Sequence, residues 1–402
     1  MLELSSAESS RAAFRSSEGA PNFRIEEYSG LEGLDAIAGE WRRLALGIPN
    51  CRFFQFPEWH RSYLSALELD PASVSYFVAY RADQMAAVFP LRHSRRRIHG
   101  LTLRTLGLVS HCHITLGDFT FAQHAENATL LQTLVDWLRA QRQFAWDVLV
   151  LDRVPDRSAI AFALKAAPPS LLLENACASS SYIPCEQPYE ATTSAISGSF
   201  KRNLRRLARR AAQTAPLTYW SAHDYVELIE ALPRFFAIEA SGWKGGEGTA
   251  IGCDRSLVSF YRQLVEEFGS QGQCSINFLS HGEKDVAAQF CLRVGGAINL
   301  LKIGFDEAHA AIAPGNLIME RTIQACCEDR QIRYVSFVSS PKWGHVWKPL
   351  SELVREYQVF NTSPYGRALL SLVRCKRFIE NRARIARTRI GKAEAPQIKS
   401  GD

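Results

Sequence analysis

The feature that most limits what this chain can fold into is a repetition. In the first half, β-rich runs at 74–80 and 85–91 flank a polar turn at 81–84. A third strand at 101–108, a helical spacing at 125–141 and a continuous apolar strand at 146–151 follow. In the second half, runs at 274–279 and 286–294 flank the turn at 280–285; then come a strand at 298–305, a helix at 314–327 and a strand at 332–337. Residues coincide as well as pattern. Ala86-Ala-Val-Phe-Pro-Leu-Arg92 matches Ala287-Ala-Gln-Phe-Cys-Leu-Arg293, five identities in seven at an offset of 201. A repeated alternation of this kind predicts a duplicated lobe of the α/β class, an α+β mixed sheet with covering helices.

Length and composition agree. At 402 residues, 47% hydrophobic and 22% charged, the chain exceeds one ordinary core and is neither fibrous nor extensively disordered. A lobe at 25–190 and another at 195–364 are expected, with the boundary near 185–200 and a basic helix and tail at 365–402. Further helix patterns run at 34–46, 57–67, 200–212, 224–240 and 257–268. The net charge of +6 favours anionic ligands without selecting one. Of ten cysteines without a Cys-x-x-Cys pair, most read as buried thiols in a reducing compartment. Residues 1–24 read as a disordered leader lacking the apolar core of a signal peptide. No run of about 18 apolar residues exists, so a cytoplasmic location is expected.

The most informative segment is Lys302-Ile-Gly-Phe-Asp-Glu-Ala-His-Ala-Ala-Ile-Ala-Pro-Gly-Asn316, which runs from a strand through a loop to a helix start. Free N–H groups and the macrodipole at a helix start suit a pyrophosphate. Gly304 at a strand end permits close approach of an extended thioester arm. A plain connection with a Pro-Gly turn fits the same residues.

In order along 195–350 stand Trp243-Lys-Gly-Gly-Glu-Gly-Thr-Ala-Ile251, Phe260-Tyr-Arg262, Gly282 to Arg293 with Ala287-Ala288, Lys302-Ile-Gly-Phe-Asp306 and Ala313-Pro-Gly315. With this order and spacing the second half resembles the BioF2-like, or cellulose-biosynthesis CelD-type, branch of the Gcn5-related N-acetyltransferases, relatives of the FemAB peptidyltransferases. The first half resembles the same family's degenerate lobe through Phe54-Gln-Phe-Pro-Glu-Trp59. The resemblance implies two tandem acetyltransferase-like lobes and transfer to an amine or hydroxyl. It also implies acyl-CoA as a co-substrate rather than a permanently bound cofactor. In place of the family's closing Gly-x-x-x-Tyr-Lys-x-x-Trp-like run stands Ser339-Ser-Pro-Lys-Trp-Gly-His-Val-Trp347, with Lys342 and Trp347 in the equivalent roles. The short Gly-rich pyrophosphate loop of other acetyltransferases is absent.

Acyl transfer to an amine needs a base and donors near the developing oxyanion. Asp306, Glu307 and His309 are the candidate bases; Lys302, Gly304, Pro314, Gly315 and Asn316 are the donor-site candidates. For the acceptor the candidates are Asp118, the aromatic-basic pair Trp243 and Lys244, and Lys342 with Trp347. His111-Cys-His113 lacks a fourth ligand at metal spacing, so no metal is expected. Arg202, Arg205, Arg206 and Arg209 share one helical face, which reads as a solvated face, a site for donor phosphates or an RNA carrier, or a lipid contact. The basic helix at 365–389 suits an anionic membrane surface or a polar cap. The leading expectation is an acyl-CoA-dependent N- or O-acyltransferase acting on a cell-envelope polysaccharide, lipid or small-molecule precursor. The alternatives are an aminoacyl-tRNA-dependent ligase, the one route by which nucleic acid enters, and a non-catalytic module of an exopolysaccharide or lipid assembly.

Overall fold

The structure is a computed structural model describing residues 23–109, 116–122, 126–141, 145–241 and 250–393, the backbone alone for 380, 381 and 383–393. The first half runs β1 (Phe23–Ser29), α1 (Gly30–Leu46), α2 (Pro57–Ala66), β2 (Val74–Arg81), β3 (Gln84–Ile98) and β4 (Leu101–Leu108). It continues with the short β5 (Thr120–Phe121), α3 (Asn127–Ala140), β6 (Val148–Pro155), α4 (Ala159–Ala166) and β7 (Leu172–Pro184). After the bridging α5 (Gly198–Ala212), the same order returns: β8 (Leu217–Ala222), α6 (Tyr225–Ala240), α7 (Arg255–Leu264), β9 (Cys274–His281), β10 (Lys284–Val294) and β11 (Ala297–Phe305). Then follow α8 (Pro314–Glu328), β12 (Tyr334–Ser336), β13 (Leu350–Phe360) and α9 (Pro364–Ala393). The duplicated mixed α/β architecture expected from the sequence is the observed one.

One sheet joins the two halves, in the order β1-β2-β3-β4-β6-β13-β7-β12-β11-β10-β9-β8, with β5 beside β3. At its centre the halves exchange strands. β13, from the second half, lies between β6 and β7 of the first, and β7 pairs on its far side with β12. Two pairs, β4–β6 and β11–β12, are parallel; the others described are antiparallel. Helices cover both faces, which is why β2 is buried at every residue but its last. α1 buries Leu34, Ile37, Trp41 and Ala45 at helical spacing, each large side chain contributing about 1.5–3 kcal/mol. α2 meets α7 across the halves, Trp59 edge-on to Phe260 at 5.3 Å, so the two helical layers form one core cluster.

Several expectations are corrected. The strand at Phe23 takes two residues from the expected 1–24 leader, whose first 22 residues lie outside the described ones. β1, β7, β8 and β13 were not expected. β7 reads as a connection because it is built of small residues, Asn175-Ala-Cys-Ala-Ser-Ser-Ser181, half-exposed over much of their length. The offset of the repeat is 200 rather than 201. Both hairpins carry a one-residue bulge just after the turn, at Ala86 and at Val286. Val88 and Ala288 then face the α1/α2 and α6/α7 side, while Phe89 and Phe290 face opposite sides of the sheet. The duplication therefore lies in topology, and most of the five identities fall out of register.

Candidate functional site

The parallel pairing of β11 with β12 covers Ala297 to Asn299 and then stops. A bulge follows at once in β11, where Leu300 pairs with Cys291 and Lys302 with Phe290, leaving Leu301 over. The chain beyond β12 turns away. Phe337 N–H donates to Ser181 O of β7 at 2.9 Å, Ser181 N–H donates to Ser339 O at 3.0 Å, and Val338 adopts a positive φ of 60°. Leu300 to Phe305 are thus paired with β10 on one side only, and a cleft of about 590 Å³ opens on the other. That volume is in the range that holds a small ligand.

One wall of the cleft is the edge of β11 from Leu300 to Phe305; the other is Phe337, Ser339, Pro341 and Trp343. Its end is the start of α8, where Pro314, Gly315 and Asn316 stand. Pro314 has no N–H to lose and its ring presets the first helical turn. Ala313 before it is left-handed, φ 52° and ψ 54°, an uncommon state for a residue with a side chain. The ionisable side chains lining the cleft are Glu239, Lys302 and Glu307. Glu239, at the last turn of α6, is 3% exposed, and its Oε2 accepts the Ile251 N–H at 2.8 Å. α6 touches β11 closely there, because a Cβ on Gly304 would lie 2.8 Å from the Glu239 Cα.

All five donor-site candidates, Lys302, Gly304, Pro314, Gly315 and Asn316, line the cleft, as does Glu307. Asp306 and His309 are outside its lining. The Asp306 carboxylate accepts from Lys284 Nζ at 2.7 Å, His309 Nδ1 at 3.0 Å and the Ala308 N–H at 3.0 Å, capping the tight turn Glu307–Ile312. The Lys284 ammonium, with those donors, holds the carboxyl below the usual carboxylate range. His309 stands edge-on to His281, ring centroids 5.9 Å apart. Lys342 sits between two lining residues without lining the cleft itself, and Trp347 is a core residue at 5.4 Å from the ring of Phe200. Trp243, Lys244, His111 and His113 lie outside the described residues. Among the described residues no group of His, Cys, Asp and Glu is placed to hold a metal ion.

Asp118 is in the other half, where the equivalent wedge is filled. β4 pairs with β6 over Thr105 to Gly107, at the very end of the strand, and Gly117 N–H then donates to Arg153 O at 3.0 Å. Leu116, with Phe54, Trp59 and Leu108, closes in on the opening, and a void of about 10 Å³ is left. The Asp118 carboxylate accepts the Ala159 and Ile160 N–H groups at the start of α4, 2.9 and 3.0 Å, and the Phe119 N–H. It occupies the position an anion would take. Burial pushes its carboxyl up to about 6 against these donors.

Sequence reasoning passed over Glu239, Phe337 and Trp343. A signal for Glu239 existed: it continues the buried stripe Leu228, Leu232, Phe235 of α6, and a carboxylate on an apolar stripe is out of place unless used.

Residues 198–345 match the family model described as an acetyltransferase (GNAT) domain, and the cleft lies inside that span. That span is similar to a GNAT-type acetyltransferase domain. No curated protein matches it in sequence. Among solved structures, the crystal structure of FemX is 10% identical, covers 83% of this chain and 98% of its own, and has a TM-score of 0.57. The structure of L-PGS from Bacillus licheniformis is 12% identical, with 86% of this chain and 96% of that one covered and a TM-score of 0.49. A tandem GNAT protein from the clavulanic acid biosynthesis pathway is 11% identical, with 83% and 98% covered and a TM-score of 0.43. At 10% identity the likeness to FemX is one of fold.

Proposed function

We propose that the protein is an acyltransferase whose donor, an acyl thioester of the acyl-CoA type, lies in the cleft with its amide-bearing arm along Leu300–Phe305 and its pyrophosphate at the start of α8. The observation that carries this reading is a strand edge that β12 leaves after Asn299, lining the cleft and ending at a helix N-terminus. An arm with amide groups pairs with such an edge as an added strand does. The Gly315 N–H at the head of α8, with the macrodipole, takes a phosphate, the Asn316 and Leu317 N–H groups being bonded to Ala313 O. The acceptor then approaches from the side of Glu239. Its amine or hydroxyl gives up a proton to the Glu239 carboxylate as the new bond forms to the thioester carbonyl carbon. The carbon–sulfur bond breaks as the tetrahedral intermediate collapses, and the thiolate leaves and is protonated. Glu239 is placed for this by the Ile251 N–H, which fixes one oxygen. In this reading the acceptor is a cell-envelope polysaccharide, lipid or small-molecule precursor, and the chain belongs with the CelD-type branch.

Calorimetry with acetyl-, medium- and long-chain acyl-CoA tests the donor. Binding that competes with free coenzyme A supports the reading; no heat and no thermal shift with any of them ends it. A specific observation keeps the aminoacyl-tRNA reading alive. α5 packs on the Glu307–Ile312 turn and on α8, and it exposes Arg202, Arg205, Arg206, Arg209 and Arg210. No carboxylate among the described residues pairs with them. Retention of charged tRNA, lost when these arginines are reversed, would replace the thioester by an aminoacyl ester in the same cleft.

A further inference from the structure

The closing helix α9 is more basic than the rest of the protein. Its 30 residues hold nine Lys and Arg against one Glu, a net +8, whereas the whole chain carries +6, so the remainder is net −2. Only one side of α9 is used by the fold. Gly366, Leu369, Leu370 and Val373 are buried, the last three in a cluster with Leu103, Val150 and Phe360 on the face of the central strands. The other side carries large apolar side chains into solvent: Leu372 is 56% exposed, Phe378 59% and Ile379 66%. Leu372, Cys375 and Ile379 recur at i, i+3 and i+7, one outward stripe. Exposed Arg374 and Arg382 flank it on one side, the Arg382 guanidinium lying over the Phe378 ring at 4.8 Å, and Lys376 on the other. The tip of the β3–β4 hairpin extends the surface. Lys376 Nζ donates to His99 O at 3.4 Å, and Leu101, which pairs with Ile98 on the α9 face of the sheet, is exposed beside it.

We infer that the outward face of α9, with the β3–β4 tip, docks on an anionic phospholipid bilayer, the apolar stripe entering the headgroup boundary and the flanking cations meeting lipid phosphates. The two halves of the surface each need this partner. A row of cations alone would suit any polyanion, and an RNA base could stack on Phe378, but RNA offers no apolar medium for the aliphatic Leu372 and Ile379. A second copy would bring a net +8 helix against a net +8 helix. Docking is of the surface kind, because no helix among the described residues is long and apolar enough to cross a membrane. The inference is independent of what the cleft binds.

Vesicle sedimentation of the full chain tests it, with phosphatidylcholine alone, with an equimolar mixture of phosphatidylcholine and phosphatidylglycerol, and with unlabelled RNA as competitor. The expected result is retention on the mixed vesicles, little on phosphatidylcholine, and weaker retention at high salt. Arg374→Gln or Lys376→Gln should each lower affinity about fivefold. Leu372→Glu with Ile379→Glu should abolish retention while the melting temperature stays unchanged, since both side chains already face water. Retention that survives the paired glutamates, absence of retention on mixed vesicles, or equal retention on phosphatidylcholine alone would each overturn the proposal. RNA binding without vesicle retention would assign the surface to a nucleic acid instead.

Discussion

Gly304 of β11 and Glu239 of α6 touch through their backbones: a Cβ at 304 would stand 2.8 Å from the Glu239 Cα and 3.1 Å from its nitrogen. The end of α6 rests on the strand that forms the cleft wall, and the absent side chain is what lets it. Gly304→Ala should therefore push the helix away and destabilise the fold by about 1–3 kcal/mol in denaturant unfolding. It should also displace the Glu239 carboxylate and lower turnover. Gly315 provides the contrast, because its Cβ would meet only the Phe305 ring at 3.4 Å. Gly315→Ala should unfold no more easily than the parent and weaken thioester binding alone.

Glu239→Gln keeps the volume of the side chain and its ability to accept the Ile251 N–H, but it removes the base. Under the acyl-transfer reading kcat falls by about 10²–10⁴ with donor affinity unchanged. Single-turnover kinetics with a saturating donor checks this. A kcat within a few-fold of the parent would remove Glu239 from the chemistry. Asp306→Asn, by contrast, should act through stability, since its carboxylate is held by Lys284 and the Ala308 N–H outside the cleft.

Asp118 closes the start of α4 as a capping anion. Asp118→Ala strands the Ala159, Ile160 and Phe119 N–H groups in a buried place and should cost about 2–4 kcal/mol in unfolding. Asp118→Asn retains one acceptor and should cost less. Neither should alter donor binding in the other half, which calorimetry can verify.

The cleft was legible because its signals are local. A strand end, a glycine and a Pro-Gly helix start sit within fifteen residues of one another in Lys302–Asn316, and all five residues drawn from them line it. Roles that depend on where a side chain points were not. Asp306 and Glu307 are neighbours in sequence, yet Glu307 lines the cleft while Asp306 turns to Lys284 on the β9–β10 hairpin. Trp347 reads as a ligand-facing aromatic and is a core residue, since a tight turn from Lys342 carries it inward. β13 carries no clear strand signature because Leu350 and Leu353 are apolar and exposed, which blurs the alternation that marks a strand. No local pattern announces that it will pair with β6, some 200 residues earlier in the chain.

His60 and Asp118 border the same small void in the filled wedge, and their protons pull stability in opposite directions. Burial lowers the His60 imidazole to about 3 from an ordinary 6.5, against the pull of the Phe54 carbonyl. The unfolded chain therefore binds that proton first, and His60 costs stability as pH falls from 6.5 towards 3. Asp118 is raised from 3.8 to about 6, so the folded chain binds its proton first. Its contribution is complete below 3.8 and is lost as pH rises through about 6. Each proton changes the unfolding free energy by at most about 1.4 kcal/mol per pH unit, and between about pH 4 and 6 the two slopes cancel. Removing one group should expose the other. His60→Gln should gain stability relative to the parent as pH falls through that window, and Asp118→Asn should lose it. Urea midpoints measured from pH 4 to 7 for the three proteins decide the matter, and parallel curves would show that neither group titrates in the fold.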